Sequence, residues 1–238
     1  MPDLGLEVLW KGKNFARLLE GLWVALRISL VAAGISVVLG VLLGIAAGIS
    51  IVLGILLGVA ASRKRSVASV ILRVWLGVIH IMPQMVLLFL MYFGTTRAFG
   101  WNLSGEVAAV IVFSLWGTAE MGDLVRGAVS SIPVIQRESA EALGLKPAQV
   151  YRWIILPQAV RQLIPQSINL ITRMIKTTSL VTLIGVVEIL KVAQQIIEAN
   201  RKASPNAAFG VYLAIFILYY LACRPLSLAA KKLEKHWR

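Results

Sequence analysis

The chain has 238 residues, is 58% hydrophobic and only 15% charged, against about 25% charged in soluble domains, which excludes an ordinary water-soluble domain and indicates a membrane protein. Its net charge of +13 comes from 24 Lys and Arg against 11 Asp and Glu. In a soluble protein such an excess suggests nucleic-acid binding, but here the basic residues lie mainly between and after apolar segments, as in cytoplasmic loops that follow the positive-inside rule, and no nucleic-acid partner is expected.

Five apolar zones follow one another, at 21–61, 74–93, 106–125, 162–187 and 207–228. A transmembrane helix needs about 20 residues to cross about 30 Å of hydrocarbon, and the last four zones fit that length. The first is far too long for the core of a signal peptide and has no small-residue cleavage site behind it, so no cleavable leader is expected. It holds a tandem repeat: Gly34–Ala47 reads GISVVLGVLLGIAA and Gly48–Ala61 reads GISIVLGILLGVAA. Fourteen residues are close to four helical turns, so the two copies show nearly the same face. One helix over 22–60 would be about 58 Å long. The alternative is two crossings joined by a turn in Val41–Ala47, giving six helices, but that turn would have glycine without Asn, Asp or Pro and would place apolar residues in water.

With five helices and a cytoplasmic C-terminus, 14 Lys and Arg lie inside (4 in 63–73, 5 in 126–161, 5 in 224–238). Seven lie outside: Lys11, Lys13, Arg17, Arg97, Lys191, Arg201 and Lys202. Six helices would move the first three of these inside and improve the bias. The reading adopted is one long helix that is tilted or protrudes, with the repeat as a duplication without function. The single cysteine, Cys223, lies in the last zone and leaves no intrachain disulfide or cysteine metal cluster.

The longest polar connection, Arg126–Arg161, reads RGAVSSIPVIQRESAEALGLKPAQVYRWIILPQAVR. Val134–Leu143 is a good helix former, Gly144 suits the left-handed cap after it, and Pro147 suits the first turn of a second helix. Pro157 is expected to kink or end that second helix before the chain re-enters the bilayer. Glu138 and Glu141 share a face of the first arm. A partner could grip such an arm as a helix in a groove; the plainer reading is an amphipathic helix on the membrane surface.

Glu138-Ser139-Ala140, three residues, Gly144, nine residues and then Ile154-x-Leu156-Pro157 resembles the EAA loop of ABC importer permeases, with Ser139 at the second alanine as the one core departure. Arg126-Gly127, Ile132-Pro133, Gln136, Gln158-Ala159, Pro165, Lys176-Thr177-Thr178-Ser179-Leu180 and Glu188 resemble the polar amino acid branch, the His/Glu/Gln/Arg/opine group. The resemblance covers roughly residues 20–230. It implies an all-α, multi-pass protein of the bacterial cytoplasmic (inner) membrane with five transmembrane helices, an external N-terminus and an internal C-terminus. It also implies one permease domain over 1–238 in which 126–161 is the cytoplasmic coupling loop. Glu138, Ser139, Ala140, Glu141, Gly144, Ile154, Leu156 and Pro157 would meet the ATPase. The implied partners are nucleotide-binding ATPase subunits, a second permease copy or paralogue, an extracytoplasmic substrate-binding protein, an amino acid and membrane lipid.

No G-x-x-x-x-G-K-[ST] occurs in the chain, so it has no P-loop to cradle phosphates; ATP and Mg belong on the partner subunit, no cofactor is expected here, and the chain is not itself expected to be an enzyme. Charges within a bilayer usually face a bundle interior or a cavity. Glu120 and Asp123 lie three apart in the third zone, and Arg173 and Lys176 three apart in the fourth. They either neutralise each other or, with His80, Gln84 and Thr178, line a path that meets the ammonium or carboxylate of an amino acid. His80-Ile81-Met82-Pro83 stands where the family usually has Arg-Gly-Thr-Pro, and Ala119-Glu120 replaces an alanine–tyrosine pair, so the substrate does not follow by analogy. Glu120 is the favoured substrate contact; His80, a lone histidine beside proline, is more often a packing or hydrogen-bonding group than a ligand. No metal-ligand spacing is present. An ion-coupled secondary transporter or channel is the alternative function.

Overall fold

The computed structural model describes residues 5–56 and 77–236, with side chains described at all of these except 45–56. Every regular element among them is helical. A short helix α1 (Glu7–Trp10) precedes α2 (Asn14–Leu56). The 43 residues of α2 would extend about 65 Å at 1.5 Å per residue. The turn that two crossings would need in Val41–Ala47 is not there, because the backbone is helical throughout that stretch. Residues 57–61, which complete the repeat, lie outside the described residues.

The second zone begins outside the described residues and is not one uninterrupted helix. Residues 77–81 are helical, Met82 and Pro83 are not, and the chain resumes as α3 (Gln84–Phe89). Proline has no N–H and disfavours a helical residue before it, which accounts for the break. A π turn at Leu90–Gly94 leads into α4 (Thr95–Phe99), which Gly100 terminates at φ +70°. The third zone is the centre of α5 (Gly105–Ser130).

The fourth zone also differs from one simple span. Its helix α8 (Leu156–Thr177) gives way to a 3₁₀ segment, Thr178–Ile184, then Gly185 at φ +85° and a new helix α9 (Ile189–Asn200). The hydroxyls of Thr177, Thr178 and Ser179 all donate back to carbonyls three or four residues earlier. Such back-bonding and β-branching weaken an α-helix, and hydropathy alone does not register them. The last zone is contained in α10 (Ala207–His236).

Among the described residues three helical stretches are long and apolar enough to cross a membrane: Asn14–Gly44, Gly105–Ser130 and Ala207–His236. A fourth span arises if Pro147–Ile184 and Ile189–Asn200, bent by 54°, are taken together.

The chain forms two compact units. One comprises the described residues of Met1–Ala33, Gln84–Phe113 and Ile171–Ser227. Its core joins Val8 and Leu9 of α1, Leu18 of α2, Ile189, Val192 and Ile196 of α9, and Ala207 and Val211 of α10. The other comprises those of Gly34–Pro83, Ser114–Leu170 and Leu228–Arg238. There Gly40 and Gly44 of α2 face Met121 and Val125 of α5 with no room for a Cβ, and Ser36 donates to the Ser114 carbonyl at 3.3 Å. Small residues that allow close approach are the usual basis of helix packing in membranes, where lipid is as apolar as leucine.

Candidate functional site

The connection after α5 folds as an elbow within the second unit. Its first arm, α6 (Val134–Ala142), follows Pro133 and ends at Leu143. Gly144 then takes φ +82°, its N–H donating to the Glu141 carbonyl at 2.9 Å while the N–H of Leu145 donates to that of Ala140 at 3.1 Å. This is a Schellman closure, which needs a left-handed residue and favours glycine there. Leu145 packs back on the apolar cluster that holds Ala140, the contact that accompanies the motif. The second arm, α7 (Pro147–Val150), starts with proline at its first position.

Pro157 does not end the second arm: helical backbone runs without interruption from Pro147 to Thr177. A π turn at Tyr151–Ile155 lies just before α8, and the N–H of Leu156 donates to the Tyr151 carbonyl, five residues back. That wider register accommodates the proline ring and the missing N–H.

Ala140, Val150, Ile155, Ala159, Ala128 and Ile132 form the buried hinge of the elbow. Ala140, 3% exposed, is a member of this cluster, and Ile154 packs against it from outside. Glu138, Ser139, Glu141, Gly144, Leu156 and Pro157 are exposed. The proposed coupling residues therefore divide into an internal hinge and an outer surface. Arg137 donates to Glu141 at 3.0 Å, which ties that carboxylate to its own helix. Val134, Ile135 and Leu143 are 67%, 64% and 81% exposed. Val134 and Ile135 open the arm and Leu143 closes it, so apolar side chains are exposed at both of its ends. Two further contacts brace the elbow: Gln158 donates to Gln136 at 2.7 Å, and Ser131 to Gln162 at 2.6 Å. Sequence reasoning noted Gln136 and Gln158 as family flanks without giving them this role.

Of the intramembrane polar residues, His80 and Asp123 come together, with Nε2 and Oδ2 3.6 Å apart. The other Asp123 oxygen accepts from Arg126 at 2.9 Å. Asp123 thus meets a residue just before the Pro83 break and one near the end of α5. Glu120 lies one turn earlier on α5 and is half-buried. Gln84, Arg173, Lys176 and Thr178 belong to the other unit. There Gln84 is half-buried at the start of α3, and Arg173 and Lys176 are exposed on α8. Thr178 is fully buried, its hydroxyl donating to the carbonyls of Met174 and Ile175. Glu188, noted in the sequence only as a family position, is a fully buried carboxylate at the start of α9. An acidic residue within an apolar run was the available signal. Among the described residues no three His, Cys, Asp or Glu side chains group as metal ligands would.

Comparison with known proteins agrees with this architecture. The sequence profile of the family described as "Binding-protein-dependent transport system inner membrane component" matches residues 50–238. The chain is 31% identical over 173 residues to the glutamine transport system permease protein GlnP of Escherichia coli (strain K12), covering 72% of this chain and 77% of that protein. It is 30% identical over 185 residues to the nopaline transport system permease protein NocM of Agrobacterium fabrum, covering 74% of this chain and 76% of that one. A crystal structure described as an amino acid ABC transporter with histidines has the same fold, with a TM-score of 0.78 at 22% identity over 94% of this chain and 95% of that one. With its helical spans and the match over most of its length, the chain belongs to the inner-membrane components of binding-protein-dependent transport systems.

Proposed function

We propose that this chain forms the translocation path of an ATP-driven importer of polar amino acids and receives force through the elbow at Glu138–Pro157. The observation that carries the reading is the elbow itself: a first arm closed by a Schellman turn on a buried hinge, with Val134, Ile135 and Leu143 left exposed. A rigid arm with exposed apolar side chains at both ends suits a groove on a partner. That partner is a separate nucleotide-binding subunit, which holds ATP and Mg; a substrate-binding protein delivers the cargo, and a second permease, a copy or a paralogue, completes the path. The whole chain acts as one permease domain, with 126–161 as its coupling loop.

ATP-driven approach of two ATPases would move the elbows and bias the helices between inward- and outward-facing states. This is coupling between distinct sites through a two-state element. Ala140 and Ile154 stiffen the joint, while Glu138, Ser139, Gly144, Leu156 and Pro157 border the docking face. His80, Gln84, Glu120, Arg173, Lys176 and Thr178 are assigned to the path, with Glu120 as the contact for an ammonium or cationic group. A polar amino acid as cargo is supported by relatives named for glutamine.

The test is uptake of labelled polar amino acids into proteoliposomes holding the chain with its ATPase and binding protein. ATP-dependent accumulation that ion gradients alone do not drive is expected. Accumulation by the isolated chain under an ion gradient would overturn the proposal in favour of a secondary transporter.

A further inference from the structure

The fourth apolar zone breaks where a carboxylate is buried. Glu188 is 0% exposed. Its Oε1 accepts from the backbone N–H of Leu190 at 2.9 Å and of Lys191 at 3.2 Å, and from the hydroxyl of Thr182. Leu190 and Lys191 begin α9, while Thr182 lies in the 3₁₀ segment on the other side of Gly185. One oxygen atom therefore joins the two sides of the break.

This arrangement is not the most stable one available. Among the described residues Glu188 Oε2 has no hydrogen-bond partner, nor does the buried hydroxyl of Tyr219, a residue of α10 that packs against the apolar cluster containing Ile189. A buried carboxylate with half its capacity unused is destabilising relative to an apolar side chain. An exposed Ser or Asp cap would serve α9 alone. What an exposed cap could not do is hold Thr182 as well, and with it the 3₁₀ segment that follows directly on Lys176 and Thr177.

We propose that Glu188 is a positioning residue for transport: its carboxylate latches the 3₁₀ segment to the start of α9 and so fixes how Lys176, just before that segment, is presented. The proposal rests on the reading of Lys176 as part of the path. Glu188 itself touches no cargo.

The experiment uses the full complex with its ATPase and binding protein in proteoliposomes, and measures cargo carried per ATP hydrolysed together with substrate-free ATP hydrolysis. Glu188→Ala is expected to lower cargo per ATP about 10-fold or more, the scale expected when contacts are misplaced by a fraction of an ångström to an ångström, with substrate-free hydrolysis unchanged. Glu188→Gln keeps an acceptor oxygen for the same three donors and is expected to retain most of the coupling. Thr182→Val removes only the latch to the 3₁₀ segment and is expected to lose coupling with normal assembly, so it decides the matter if Glu188→Ala does not assemble. Wild-type coupling in Thr182→Val, or a Glu188→Gln variant as impaired as Glu188→Ala, would overturn the latch. If the wild-type complex shows no ATP-driven uptake, the proposed function has failed instead.

Discussion

Replacing Gly144 with valine tests the elbow at its joint. Gly144 has φ +82°, and a Cβ built there meets nothing within 4 Å, so the penalty lies in the backbone alone. A left-handed conformation costs an ordinary L-residue about 1–2 kcal/mol, and a strained position costs up to about 3 kcal/mol, with β-branched valine at the high end. Since 1.4 kcal/mol is tenfold, a penalty of about 2 kcal/mol lowers the equilibrium constant for closing the elbow roughly 30-fold. Asparagine tolerates this region and should be nearly silent. Uptake should fall in the order glycine, asparagine, alanine, valine, and the amount of ATPase subunit that co-purifies should fall in parallel. Yield in the membrane fraction should not change, because Gly144 lies outside the apolar core. Normal uptake and full ATPase co-purification in Gly144→Val would refute the reasoning.

Four other substitutions separate the parts of the account. Leu143→Asp, at a position 81% exposed, should leave the purified chain's thermal midpoint unchanged yet abolish ATPase co-purification. Gly40→Leu must displace Met121; overpacking of this kind costs about 1–3 kcal/mol and should lower thermal stability in detergent, whereas Gly34→Leu, with open space around its Cβ, should not. Glu120→Gln should change apparent affinity or substrate range in the reconstituted complex while substrate-free ATP hydrolysis stays the same; unchanged affinity and range would remove Glu120 from the path.

Much of the elbow was legible in the sequence because its cues are local. Gly144 and Pro147 each act through the backbone of one residue, and both take the positions expected of them. The long helix was legible too, since no Asn, Asp or Pro interrupts 21–56. Pro157 was expected to kink or end the second arm, and it does not end it, because the π turn at Tyr151–Ile155 absorbs the proline. The fourth zone misled for a different reason. Hydropathy reads 162–187 as one apolar zone, but hydroxyl back-bonds and the Glu188 cap set the break. The pairing of Asp123 with His80 joins residues more than forty positions apart, on segments whose register no local pattern specifies.

The most direct measurement is cross-linking from the outer surface of the elbow. In a Cys223→Ser background, Ser139→Cys with a short bifunctional reagent should yield an adduct with the ATPase subunit of the assembled complex, in an amount that changes between ATP-bound and nucleotide-free states. An elbow that cross-links to no ATPase subunit in a complex competent for uptake would contradict the claim that force enters there.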